Sequence, residues 1–169
     1  MPGGFYWSRN MMGQKLTDEQ MREIPHANME LFGHVTIKTV QAGAFLGTLL
    51  TGPLTQAFRG PRTLNAIMET AARHGRNGAI IGLVLGPAMT FMKCNSMNWD
   101  EEGIYDRCYR LRYNRNQVRV DRASALGATA GYLVALQMGA SGATGFVFGM
   151  TGGVVLSAVY NSMFCEKHV

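Results

Sequence analysis

Residues 123–165 read ASALGATAGYLVALQMGASGATGFVFGMTGGVVLSAVYNSMFC, 43 residues without one charged side chain. A helix rises about 1.5 Å per residue, so this is roughly 65 Å of helix, against about 30 Å for the hydrocarbon core of a bilayer. The run is too long for one crossing and fits two crossings joined by a tight turn. Gln137, Gly139, Ser141, Gly142, Thr144 and Gly145 lie near its middle, where that turn is expected.

Working outward, Thr39 to Phe58 is a second charge-free run, of 20 residues, with Pro53 near its end to bend or stop the helix. A third, Asn77 to Met92, has only 16 residues. It reaches across if its helix starts near Leu64 and its flanking Arg and Lys side chains snorkel to the surface. The pattern predicts an all-α membrane protein with four transmembrane helices at about 39–58, 64–92, 123–140 and 144–165. A polar N-terminal arm (1–38) would precede this transmembrane domain (39–165), a charged loop (93–122) would divide it, and a short C-terminal tail (166–169) would follow. In the arm, Thr17 and Gln20 form a capping-box pattern for a short helix that Pro25 ends.

The 169 residues suit one domain, and the net charge of +5 makes the chain basic. For a membrane protein that balance points first to anionic lipid headgroups. No secretory signal is expected, because the first 34 residues contain no apolar core, and the acidic residues among them fit a cleaved mitochondrial presequence poorly. His26, His34, His74 and His168 are dispersed without metal-ligand spacing, and no Cys-x-x-Cys, phosphate loop or nucleophile elbow is present. No catalytic, metal or cofactor-binding residue is therefore expected, and the chain does not read as an enzyme.

Small residues recur at four-residue spacing in every predicted span: Gly43 and Gly47; Gly78, Gly82 and Gly86; Gly127 and Gly131, between Ala123 and Ala135; and Gly145, Gly149 and Gly153. Residues four apart share one helix face, and a face of small side chains lets two backbones approach closely in lipid. Glycine-zipper packing of the four helices follows, with stripes to spare for a neighbouring protein.

The loop carries Tyr105, Tyr109 and Tyr113 at four-residue spacing among Arg107, Arg110, Arg112, Arg115, Arg119 and Arg122. Tyrosine suits a membrane interface and arginine reaches phosphates there, so these residues are candidates for contact with phospholipid or with acidic residues of a partner. Such a composition also suits single-stranded nucleic acid. Tethering between two spans argues against that reading, and no nucleic-acid partner is expected.

Four zipper helices, a charged segment between the second and third, and Arg115-Asn116-Gln117-Val118-Arg119-Val120-Asp121-Arg122-Ala123-Ser124-Ala125-Leu126-Gly127 leading into the third resemble one known family. It is the mitochondrial inner-membrane family of the channel-like subunits of the presequence and carrier translocases, which also includes an accessory subunit of respiratory complex I. Within that family the chain looks most like the complex I member. The resemblance implies a multi-pass protein of the mitochondrial inner membrane that is a non-catalytic accessory subunit. Its implied partners are other membrane subunits of a respiratory complex and phospholipid, with bound cardiolipin as the implied lipid. The alternative is a subunit of an inner-membrane protein translocase. The long basic loop and the few polar groups within the spans depart from the import-pore pattern. Cys94, Cys108 and Cys165 fall on one side of a four-span topology. They are free thiols there, or two of them form a disulfide, since the resembled family places that side in the oxidising intermembrane space. Spacing does not choose a pair. Twelve of the sixteen Lys and Arg residues lie on that side, which favours the matrix by the charge rule, while the resemblance implies the reverse.

Overall fold

A computed structural model of the protein describes residues 6–165. The tail at 166–169 and the first five residues of the arm lie outside the described residues. Among those described, every regular element is helical: α1 (Tyr6–Met11), α2 (Asp18–Arg22), α3 (Ala27–Leu46), a π-helical segment (Gly47–Thr51), α4 (Gly52–Arg59), α5 (Leu64–Ser96), α6 (Glu101–Tyr113), α7 (Arg115–Gln137) and α8 (Gly142–Phe164).

Local chemistry explains where the helices start. The Gln20 amide donates to Thr17 Oγ1 at 3.3 Å and the Thr17 amide to Gln20 Oε1 at 3.1 Å, closing the capping box of α2. Thr63 caps α5, Asp100 caps α6 and Asn114 caps α7, each accepting from a backbone amide three residues on. In α6, Glu101 and Glu102 occupy the first turn and Arg110 and Arg112 the last, the order that suits the helix dipole.

Three boundaries differ from the sequence reading. The arm is not wholly separate from the first long helix, because α3 begins at Ala27, well before the charge-free run at Thr39. Its early polar residues find partners inside the fold, so hydropathy understates the helix. The charged loop is itself mostly helical, forming α6 and the first turns of α7. Pro53 does not stop its helix. The π segment carries the Gly52 amide to the Gly47 carbonyl, and Pro53 then sits in the first turn of α4, where a missing N–H is tolerated.

The helices form two closely packed pairs, α3 with α5 and α7 with α8, joined chiefly where α8 meets α3 and α5. Glycine lines both seams. Gly43 faces Gly78, Gly47 faces His74 and Gly75, Gly82 faces Thr39, and Gly86 faces Thr36 and Thr39. In the other pair Gly127 faces Gly149, Gly131 faces Gly145, and Gly153 faces Ala123 and Ser124. A Cβ at any of these positions would fall closer than 3.0 Å to the facing helix. Backbone therefore packs on backbone, as small-residue stripes allow.

Two helices, α5 and α8, are long and apolar enough to cross a membrane, with mean hydropathies of 1.3 and 1.5 over their apolar windows. Only 22% and 28% of those windows is buried. The other two expected spans do not stand out in this way. The run 39–58 is divided among α3, the π segment and α4, and α7 opens with Arg115, Arg119, Asp121 and Arg122.

Candidate functional site

A network of buried polar residues forms at one end of the bundle, where α1, α2 and the start of α3 meet α6 and the start of α7. Arg112 is the hub. Its Nε donates to Glu30 Oε1 and its Nη2 to Glu30 Oε2, both at 2.6 Å. Its Nη1 donates to the carbonyls of Gln20, Met21 and Glu23 at 3.0–3.1 Å. The guanidinium thus completes the otherwise unpaired carbonyl end of α2 while holding a buried carboxylate in a bidentate pair. Arg112 and Glu30 are both buried. Burial favours the protonated Glu30, but the paired hydrogen bonds from Arg112 and the nearness of the His34 ring outweigh it and hold the carboxyl below its ordinary value of 4.5.

The network continues along α3. Glu30, His34, Lys38 and Gln41 lie on one face, at steps of four, four and three residues. His34 Nε2 stands 3.6 Å from Glu30 Oε1, and its ring meets the edge of Trp7 at 5.3 Å. Lys38 pairs with Asp121 at 2.5 Å. Gln41 donates to Asp121 Oδ1 at 2.9 Å and to Ser124 Oγ at 2.7 Å. Arg122 donates to the carbonyl and side chain of Asn10, whose Nδ2 reaches the Arg112 carbonyl at 3.4 Å.

The residues read as a lipid or partner surface therefore divide. Arg112 and Arg122 tie the arm to the bundle. Arg119 donates to Asn116, Asn161 and Cys165 and lies over the Tyr160 ring, joining α7 to the end of α8. These three arginines face the fold, because each has acceptors there that solvent-exposed placement would leave unbonded. Arg110 pairs on the surface with Asp106, and Arg107 and Arg115 point outward, both exposed. Tyr105, Tyr109 and Tyr113 do form a continuous stack, with ring centroids 6.4 and 4.6 Å apart. It runs beside α2, for Tyr105 donates to the Arg22 carbonyl at 2.8 Å.

All three cysteines are free thiols. Cys94 and Cys108 share a buried apolar cluster with Ile24, Leu31 and Ile104, and Cys165 lies outside it, beside Arg119. The Cys108 thiol donates to the Ala27 carbonyl at 3.1 Å, and burial pushes its pKa up to about 12. It stays protonated at neutral pH. Of the two acids that organise this end of the molecule, Asp121 lies in the motif leading into α7, though spacing gives neither Lys38 nor Gln41 as its partner, and Glu30 belongs to no motif. The signal available was the evenly spaced polar face of α3.

Among the described residues no group of three or more His, Cys, Asp or Glu side chains is placed to hold a metal ion. What this arrangement can do chemically is to hold: it locks the arm, both helix pairs and the α6 corner into one body. Residues 7–160 match the family described as a protein of unknown function, DUF1757, and the chain belongs to that family. No curated protein matches it.

Proposed function

We propose that this protein is a non-catalytic accessory subunit of mitochondrial respiratory complex I, of the kind represented by alpha subcomplex subunit eleven. In this reading it crosses the inner membrane four times, stabilises the membrane arm, and contacts neighbouring subunits and phospholipid such as cardiolipin. The membrane part of the reading draws on α5 and α8, whose apolar windows stay largely exposed. A soluble bundle would bury its most apolar helices, whereas a lipid-facing bundle leaves them outward.

The observation that carries the functional reading is the fate of the interior polar groups. Gln41, Asp121, Ser124, Thr90, Ser157 and Arg112 bond to protein partners within the fold. Polar groups that serve a transport path keep capacity for a passing substrate or for water. Here Arg112, Gln41, Asp121 and Ser124 are taken up by ties between helices, and the Thr90 and Ser157 hydroxyls by carbonyls of their own helices, Gly86 and Gly153, which suits a rigid packing subunit. Blue-native separation of mitochondrial membranes tests the reading. Co-migration with NADH dehydrogenase activity, and loss of assembled complex when the chain is depleted, is the expected result. Co-purification with an arrested precursor protein instead would replace it with the translocase reading.

A further inference from the structure

Between α3, the last turns of α5, and α6 runs a groove of about 510 Å³. Sites for small ligands fall in the range of about 300–1,000 Å³. Leu31 and Val35 of α3 and Met89 and Met92 of α5 form its wall, and Lys93 and Arg107 stand at its rim. Met89 and Met92 are 55% and 69% exposed, so the wall opens to the outside of the bundle. The apolar surface continues down the same face of α5 through exposed Leu85 and Ile81.

The two rim cations differ from four of the other five loop arginines; the fifth, Arg115, is also exposed but does not line the groove. Arg110 is paired with Asp106, and Arg112, Arg119 and Arg122 are bonded within the fold. Lys93 and Arg107 are exposed and make no ion pair among the described residues. Lys93 directly follows Met92, the last residue of the second expected span. The two free positive charges thus stand where hydrocarbon gives way to headgroups, above an apolar channel.

We propose that this groove holds one anionic phospholipid, with its phosphate between Lys93 and Arg107 and an acyl chain along Met92, Met89 and Leu85. Both cations donate charge-assisted hydrogen bonds to phosphate oxygens, and basic pockets between membrane helices recognise such headgroups. A choline headgroup brings its own cation beside these two and is disfavoured, whereas phosphatidylglycerol brings none. The inference rests on the membrane reading above.

Native mass spectrometry of the full-length protein in detergent, titrated with phosphatidylglycerol or phosphatidylcholine, tests it. One phosphatidylglycerol should bind per chain, more tightly than phosphatidylcholine. Replacing both cations (Lys93→Gln with Arg107→Gln) should weaken binding about tenfold or more. Arg62→Gln, an exposed cation outside the groove, should leave it unchanged. Met89→Trp, which fills the channel and keeps both charges, should also lose the lipid. Equal affinity for the two lipids, unchanged binding by the double variant, or inorganic phosphate binding as tightly as the lipid would overturn the proposal. Carbonate extraction separates the two failures. Release of the chain from membranes sinks the membrane reading as well, whereas retention without lipid preference sinks this inference alone.

Discussion

The α7–α8 pair and the α3–α5 pair both set glycine against glycine, yet only the first is a plain hairpin. Residues 138–141 join α7 to α8, with Gly139 at a φ of +69° in the turn. Their contacts then climb in even steps from Gly131–Gly145 to Gly127–Gly149 to Ala123–Gly153. Between α3 and α5 the chain inserts a π segment, α4 and a short connection, and α3 carries polar residues that bond to α6 and α7. The difference teaches what each device does. A glycine stripe sets how closely two helices lie, while a polar stripe decides which further elements dock and where.

The sharpest way to break this comparison is to fill one seam. Gly149→Leu places a side chain on the Gly127 carbonyl, whereas Gly152, one turn-step away, has nothing within 4 Å of its Cβ position. Gly149→Leu should remove most folded protein from the membrane fraction and Gly152→Leu should leave its abundance unchanged. Equal abundance would mean that the stripe does not set the pair. Gly43→Leu should leave more folded protein than Gly149→Leu, because polar bonds also hold α3 in place.

The next effect belongs to the polar stripe. Arg112→Met leaves Glu30 buried without its cation, and breaking such a pair costs about 3–5 kcal/mol. Limited proteolysis should then cut residues 6–26 while α7–α8 stays resistant, and adding Glu30→Met should restore much of the protection. Acid acts on the same bond. The Glu30 carboxyl lies below its ordinary 4.5 in the folded protein, so its contribution is complete above pH 4.5 and is lost as the pH falls through the lower folded value. Cleavage of the arm by pepsin should rise below pH 4.5 in the native protein. In Glu30→Gln it should be high already and nearly independent of pH.

The smallest effect changes reactivity rather than stability. Cys108 is fully buried with its pKa raised to about 12, whereas Cys165 is half-buried. Alkylation at neutral pH should label Cys165 first, and Cys108 only after denaturant is added. Mass mapping of the labelled peptides would show the order, and early labelling of Cys108 would mean that the α6 corner opens.

Much of the helical architecture was legible. The α7–α8 pair is a long charge-free run with a glycine-rich midpoint, a purely local pattern, and the Thr17–Gln20 cap is equally local. The start of α3 was not legible, because Glu30 and Lys38 look like surface charges until Arg112 and Asp121 are brought to them from more than eighty positions away. For the same reason the basic segment read as a uniform surface. Whether an arginine faces a headgroup or a buried carboxylate depends on a residue in another element, and spacing along its own helix carries no trace of it. The π segment was hidden too, since it reflects how α3 passes Pro53 while keeping Gly47 and Gly52 against α5.

The bond from Arg122 to Asn10 spans 112 positions of the chain. Contacts so far apart close late, because the entropy of the intervening loop must be overcome before they form, whereas zipper partners in a hairpin meet early. Loop-closure entropy thus favours an order in which the helix pairs close before Arg112 and Arg122 bind the N-terminal residues, and the expected outcome in pulsed hydrogen exchange during refolding is that amides of residues 6–26 gain protection last.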